Sequence, residues 1–273
     1  MPPRATDRKV DWRIEARPIG QVNWTGMWTL YLREVRRFFK MLLQAVLAPI
    51  VTCLLFLAIF TIAFGDGRRV AGLDYGTFLA PGLIMMSVIQ QSFANCSSSL
   101  ISAKIVGNIV DTMMAPLGPG ELLVAYALSG VTRGLIVALG AGGALALFVD
   151  FPPVAWGWAT YFVLMSSLTM ALAGIVAGLW SEKFDHLSTV TNFVITPLAF
   201  LSGTFYSVER LPGMWRELST VNPLFHMIDG FRHALIGWSD SAPWVAALVI
   251  AASALVTGGL CYRLLRIGYK LKT

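Results

Sequence analysis

Charge is what this chain has least of. Lys, Arg, Asp and Glu make up 13% of its 273 residues, against roughly 25% in an ordinary soluble domain. A soluble chain of this length has more surface than that fraction can cover. The apolar residues, 56% of the total, fall in long uninterrupted blocks. A soluble globular enzyme is thereby excluded, and the pattern is that of a polytopic membrane protein. Cysteine is scarce too. Cys53 and Cys96 lie inside apolar blocks and Cys261 lies at the end of one, with no CxxC pair among them. They read as packing thiols, not as a disulfide frame or a metal site. Internal repeats and low-complexity tracts are lacking. So is any GxxxxGK[ST] phosphate loop, so the chain is not expected to bind ATP in that way.

The blocks themselves contain no Asp, Glu or His, and their one charged residue is Arg133. Ion-driven secondary transporters use intramembrane acids as relays or ligands, and intramembrane metal or carboxylate enzymes need them for chemistry. Both classes are disfavoured. His226 and His233 are two helical turns apart in an outward segment and would need further ligands to hold a metal, so no metal site is expected. No catalytic residue is assigned.

Six blocks are long enough to cross a core of about 30 Å. They lie near 41–64, 78–103, 122–149, 157–180, 187–206 and 243–262. The chain preceding the first carries nine basic residues, and Arg263, Arg266, Lys270 and Lys272 follow the last. Six spans put both ends on one side, and the positive-inside rule makes that side cytoplasmic. The net charge of +6 is therefore a topology signal and not a nucleic-acid footprint. No secretory signal is expected ahead of the first span, since that block exceeds a signal h-region. Trp24, Trp28, Trp156, Trp158, Trp180, Trp215, Trp238 and Trp244 fall at or outside block ends, as in an interfacial belt.

Residues 1–22 read as a cytoplasmic tail and 263–273 as a basic cytoplasmic C-terminal tail. Over 23–40, Trp24, Trp28, Tyr31, Val35 and Phe38 recur at helical spacing among Arg33, Glu34, Arg36, Arg37 and Lys40. That pattern predicts an amphipathic helix in the cytoplasmic headgroup layer. Gly130 with Gly134 and Gly174 with Gly178 are small-xxx-small pairs that suit close helix packing, within the bundle before a contact between copies. Arg133, deep in its block, either faces a translocation path or snorkels toward the cytoplasmic surface.

Two segments are more specific. One, expected to be cytoplasmic, runs Ser102-Ala-Lys-Ile-Val-Gly-Asn108-Ile-Val-Asp111-Thr-Met-Met-Ala-Pro116-Leu-Gly-Pro119-Gly-Glu121. A short helix with an acid and two large apolar residues, stopped by prolines, suits a groove on a soluble protein. The other contains Pro197-Leu-Ala-Phe-Leu201-Ser-Gly203-Thr-Phe-Tyr206, Leu211-Pro-Gly-Met-Trp215 and Asn222-Pro223-Leu-Phe-His-Met-Ile-Asp-Gly230-Phe-Arg232. Asn222 followed by Pro223 is a helix N-cap signal in its own right.

Together with Pro81-Gly-Leu-Ile-Met-Met-Ser-Val88, these segments resemble the permease subunits of ABC type-2 exporters, notably the YadH-like inner-membrane and nodulation-factor export permeases. The resemblance covers most of 23–270. It implies an all-α membrane fold: six transmembrane helices, an N-terminal interfacial connecting helix, and a re-entrant extracytoplasmic helical hairpin over 207–240 before the last span. It implies a coupling helix over 104–119, with Asp111, Met113, Met114 and Pro116 against an ATPase. An outer gate would involve Asn222, Pro223, Phe225, Phe231 and Arg232. It further implies a dimer in the bacterial cytoplasmic membrane, served by two copies of a separate ATPase subunit that binds ATP and Mg. The basic residues common in the family's coupling helix are reduced here to Lys104. The reading is thus a permease, not itself an enzyme, that exports an amphiphile: a lipid, a lipid-linked saccharide or a hydrophobic drug. An ion-driven transporter and a non-transporting scaffold for an ATPase are the alternatives.

Overall fold

The computed structural model describes residues 20, 22–64, 69, 70, 72–151, 153–208 and 212–270. Most of the expected N-terminal tail, and residues 271–273 of the C-terminal one, lie outside that set. Among the described residues five helices are long and apolar enough to cross a membrane: Leu43–Ala63, Tyr75–Val106, Pro119–Leu145, Trp156–Trp180 and Pro243–Ile267. In chain order they follow α1 (Trp24–Lys40) as α2 (Ala48–Phe64, continuing a π-helical turn Leu43–Leu47), α3 (Tyr75–Val106), α5 (Pro119–Leu145), α6 (Trp156–Trp180) and α11 (Pro243–Ile267). The shorter elements are a two-residue ribbon (β1 Arg69–Val70, β2 Leu73–Asp74) and α4 (Ile109–Met114), α7 (Phe184–Val190), α8 (Thr196–Leu201), α9 (Gly213–Val221) and α10 (Pro223–Ile236).

The expected fifth span is built differently from the rest. It is helical from Phe184 to Leu201, but a π turn at Thr191–Ile195 divides it into α7 and α8. Thr196 N–H bonds Thr191 O, five residues back. Pro197 has no N–H to offer Phe193 O, and a π turn is one way a helix absorbs that missing bond. The π turn opening α2 likewise ends two residues before a proline, Pro49.

Helix ends follow local chemistry. Asn23 Oδ1 accepts from Gly26 N–H at 2.9 Å to cap α1. Asp74 Oδ2 accepts from Gly76 N–H at 3.0 Å to start α3, and Gly107, at φ +84°, ends it in the left-handed region. Asn222 Oδ1 accepts from Leu224 N–H at 3.0 Å with Pro223 in the first turn of α10, as the sequence predicts. The three cysteines are free and buried.

Helices α3 and α6 form the centre of the bundle, with Phe78, Phe93, Phe162, Ile84 and Ile89 fully buried. The glycine pairs belong to that seam. A Cβ on Gly130 would stand 2.5 Å from Ala171 Cβ and 2.9 Å from Cys96 Sγ, and one on Gly178 would stand 2.9 Å from Leu100 Cβ. Both pairs thus serve packing inside one chain. Trp24, Trp28, Trp156, Trp215 and Trp244 stand exposed in the first two turns of their helices, while Trp238 packs edge-on against Phe78 at 5.4 Å.

Candidate functional site

The expected coupling segment is shorter than its sequence span. Residues 104–106 finish α3, Gly107 breaks the chain direction, and the helix proper is the six-residue α4. Ile109 and Thr112 are buried; Val110, Asp111, Met113, Met114 and Pro116 are exposed. Met114 is 79% exposed, and Val106 and Ile105 at the end of α3 continue the apolar surface. This is a raised apolar patch with one carboxylate on it. Lys104 does not join it. Its ammonium turns inward to the carbonyls of Leu179 and, at 3.2 Å, Ser181, capping the end of α6.

Behind the patch α4 is strapped to α1. Arg33 Nη1 donates to Thr112 Oγ1 at 3.1 Å, and Asn23 Nδ2 donates to Pro116 O at 3.1 Å. Glu121 joins the starts of two helices, its Oε1 accepting from Asn23 N–H at 2.5 Å and its Oε2 from Gly118 N–H at 2.7 Å. These bonds join α4 and the segment after it to α1.

Helix α1 corrects one part of the sequence reading. Its buried positions are Leu30, Glu34 and Phe38, while Trp24 and Trp28 point away from the bundle. The helix thus has two contact faces, and Glu34, which the amphipathic pattern puts among polar surface residues, is only 2% exposed. Its carboxylate accepts from Arg33 Nη2 at 3.2 Å, Arg37 Nε at 3.1 Å and Ser99 Oγ at 2.5 Å. Arg37 Nη2 continues to Asn95 O at 2.9 Å, and Arg33 Nη2 reaches Tyr126 Oη at 3.3 Å. The arrangement ties α1 to α3 and α5.

Arg133 belongs to the same region. Its Nη2 bonds Gln91 Oε1, and its guanidinium lies 5.4 Å from the centre of the Phe38 ring. It points toward α1 and α3. Beside it a cleft of about 150 Å³ between α2 and α3 is lined by Thr52, Ser87, Gln90 and Gln91 among apolar neighbours. The sequence reading passed over this mid-span polar stripe, although two adjacent glutamines inside an apolar block were the signal for it.

On the opposite side, α9 exposes Met214, Trp215, Leu218 and Val221 while burying Ser219. The five expected gate residues are on or beside α10, and all but Pro223 are buried in the chain's own core. Arg232 is fully buried, donating from Nη2 to Gly203 O at 2.8 Å with its guanidinium carbon 4.1 Å from the Phe78 ring centre. Asp229 accepts from Asp240 N–H, Ser241 N–H and Ser241 Oγ–H at 2.7–2.8 Å. Asp240 in turn accepts from Ser207 Oγ at 2.5 Å and Val208 N–H at 3.1 Å. These bonds knit α10, the turn after α8 and the start of α11 into one unit. His226 Nε2 lies 2.9 Å from Thr220 O and His233 Nδ1 lies 3.4 Å from Ser239 Oγ. Each imidazole has a separate structural contact.

Comparison with known proteins decides the family. The profile described as ABC-2 type transporter matches residues 25–236. The chain belongs to that family. It is 34% identical over 256 residues to the inner membrane transport permease YadH of Escherichia coli (strain K12), covering 92% of this chain and 98% of the relative. It is 26% identical over 226 residues to nodulation protein J of Rhizobium leguminosarum bv. viciae, covering 81% and 85%. Nodulation protein J of Rhizobium meliloti (strain 1021) matches at 23% over 228 residues, covering 82% and 85%. As an ABC-2 permease the chain is a multi-pass transport subunit, and membership of the family implies partnership with an ABC ATPase.

Proposed function

We propose that this permease is the membrane half of an ATP-driven exporter in a bacterial cytoplasmic membrane, working as a dimer on two copies of a separate ATPase subunit that binds ATP and Mg. The helical segment Phe184–Leu201 would be the sixth crossing, fifth in chain order, leaving both termini cytoplasmic and α9–α10 as a re-entrant hairpin on the outer side. Such broken backbone is tolerated at membrane depth when buried in protein, as α10 is.

The observation that carries this reading is the raised α4 patch. Met113, Met114 and Val110 are exposed in a six-residue helix bonded from behind to α1. Docking a partner there would bury apolar surface and fix α4 in a groove. ATP-driven closure of two such partners would move α4, then α1 through Arg33 and Asn23, then α3 through Glu34. The cleft bearing Thr52, Ser87, Gln90 and Gln91, with Arg133 beside it, lies where a path along α2, α3 and α7–α8 would run. The α10 unit would close the outer end as a rigid body, since its gate residues are locked into the fold. A largely apolar path with one cation suits an amphiphilic cargo better than an inorganic ion.

The test is to purify the tagged chain from its native host in mild detergent and identify what accompanies it. A stoichiometric soluble protein with a phosphate-loop motif is expected. An intact, dimeric chain lacking that companion would overturn ATP coupling.

A further inference from the structure

Between α1 and the end of α3 near Val106 lies a cavity of about 770 Å³ to which the transport reading assigns no ligand. Arg33, Arg36, Arg37 and Lys40 line it from α1; Ser102 and Asn108 line it from α3 and the turn beyond; Glu34 is its one acid. The Glu34 carboxylate is already shared by Arg33, Arg37 and Ser99. Among the described residues, no carboxylate stands at ion-pair distance from Arg36 or Lys40. Four cations against one acid leave the cavity with a net charge of +3. The rest of its lining mixes the hydroxyls of Thr29 and Ser99 with apolar Leu32, Ala103 and Val106. Trp24, Trp28 and Phe39 are exposed on the same helix, at the depth where an interfacial helix meets lipid headgroups.

Cations on α1, hydroxyls on α3 and apolar side chains on both suit an anionic headgroup attached to a hydrocarbon. Guanidinium forks match the geometry of phosphate oxygens and bind them with charge-assisted hydrogen bonds, and an ammonium adds a point charge. We infer that this cavity binds the phosphate of an anionic amphiphile, taken from the leaflet in which α1 lies. The shared chemistry is an anionic phosphate group, which either a phospholipid headgroup or a free phosphate ion can supply. The inference rests on α1 being interfacial and on nothing in the ATPase assignment.

The chain is reconstituted in nanodiscs of phosphatidylethanolamine with a minor fraction of phosphatidylglycerol, and the lipid retained after release into detergent is counted by native mass spectrometry. Neither ATP nor a partner is needed, so failure here leaves the exporter reading standing. Wild type is expected to retain phosphatidylglycerol in preference to phosphatidylethanolamine. The variant Arg36→Gln/Lys40→Gln should lose about thirtyfold of that preference, from roughly fivefold for each basic residue near a headgroup. Both side chains are exposed, so folding should survive. Ser102→Phe, which fills the cavity without changing charge, should eject the same lipid. The control is Arg263→Gln/Arg266→Gln, exposed basic positions on α11 outside the cavity. Equal losses in the control would reduce the effect to diffuse surface attraction and overturn the site, as would retention unchanged in Ser102→Phe. Displacement by inorganic phosphate would uphold the site with the free ion as ligand. Resistance to it, with the acidic lipid still preferred, would uphold the site with the lipid as ligand.

Discussion

Replacing Glu34 by Gln removes a single charge and keeps the shape of the side chain. In the native protein that carboxylate is 2% exposed and accepts three bonds, two of them from guanidinium groups. Breaking a buried ion pair costs about 3–5 kcal/mol because an uncompensated charge remains. Here the partners are partly wet, with Arg33 48% and Arg37 34% exposed at the side chain, so solvent offsets part of the loss. Gln also retains one acceptor oxygen for Ser99 or Arg37. The expected net destabilisation is about 2 kcal/mol, midway between exposed and buried pairs. At about 2–4 °C per kcal/mol for a chain of this size, the apparent Tm should fall by about 4–8 °C. The assay is thermal unfolding in detergent followed by size-exclusion chromatography, run beside Arg36→Gln, whose side chain makes no ion pair among the described residues. The double variant Glu34→Gln/Arg37→Gln should recover part of the loss, since the charge left unpaired is gone. A Glu34→Gln shift no larger than that of Arg36→Gln would refute the reading of Glu34 as the tie between α1 and α3.

Gly134→Leu should prevent accumulation of folded protein, because its Cβ would press on the hydroxyls of Ser92 and Ser167, whereas Gly143→Leu, with nothing within 4 Å, should be tolerated; membrane-fraction yield and monodispersity compare the two. Arg133→Leu should impair transport in proteoliposomes more than expression if the cation works in the path beside Gln91, and normal export by that variant would leave Arg133 a packing residue. Arg232→Met should loosen the turn after α8, read as faster maleimide labelling of a cysteine placed at Thr204, which is fully buried in the native fold; unchanged labelling would remove Arg232 from the α10 lock. The exposed Glu182–Lys270 pair at 2.6 Å holds the Glu182 carboxyl below its usual range and the Lys270 ammonium above its own. Its contribution is therefore full between about pH 5 and pH 9 and fades as pH falls through the lowered carboxylate value or rises through the raised lysine value. The Tm difference between wild type and Glu182→Gln should be flat across that window and shrink at low pH.

The spans that were legible were those whose signal is additive. Length, hydropathy and tryptophan position place α2, α3, α5, α6 and α11 to within a few residues, and Asn222-Pro223 marks the start of α10 by cap chemistry alone. The segment at 187–206 carries Thr191, Asn192, Thr196 and Pro197, which lower its hydropathy, and a π turn divides its helix, so a count of apolar residues describes it poorly. Glu34 escaped because hydrophobic periodicity treats every carboxylate as surface; its burial depends on Arg33, Arg37 and Ser99 arriving together, and Ser99 is sixty-five residues away. Lys104 was misleading for the same reason, since its partner carbonyls are at the end of α6 and on the residue that caps it. The glycine pairs were visible as packing positions, but which helix they meet is a property of the assembled bundle. Of the site residues, the exposed face of α4 follows from its short amphipathic pattern, while the burial of Phe225, Phe231 and Arg232 required the fold.

The central claim is that a separate ATPase docks on α4. Binding of the partner recovered with the native chain is compared between wild type and Met113→Asp/Met114→Asp in detergent, with membrane insertion and Tm checked in parallel. Both methionines are exposed, so the variant should insert and fold normally while losing the partner, because the new carboxylates would have to be desolvated in the groove. Partner binding at wild-type strength by a folded double variant would contradict the account.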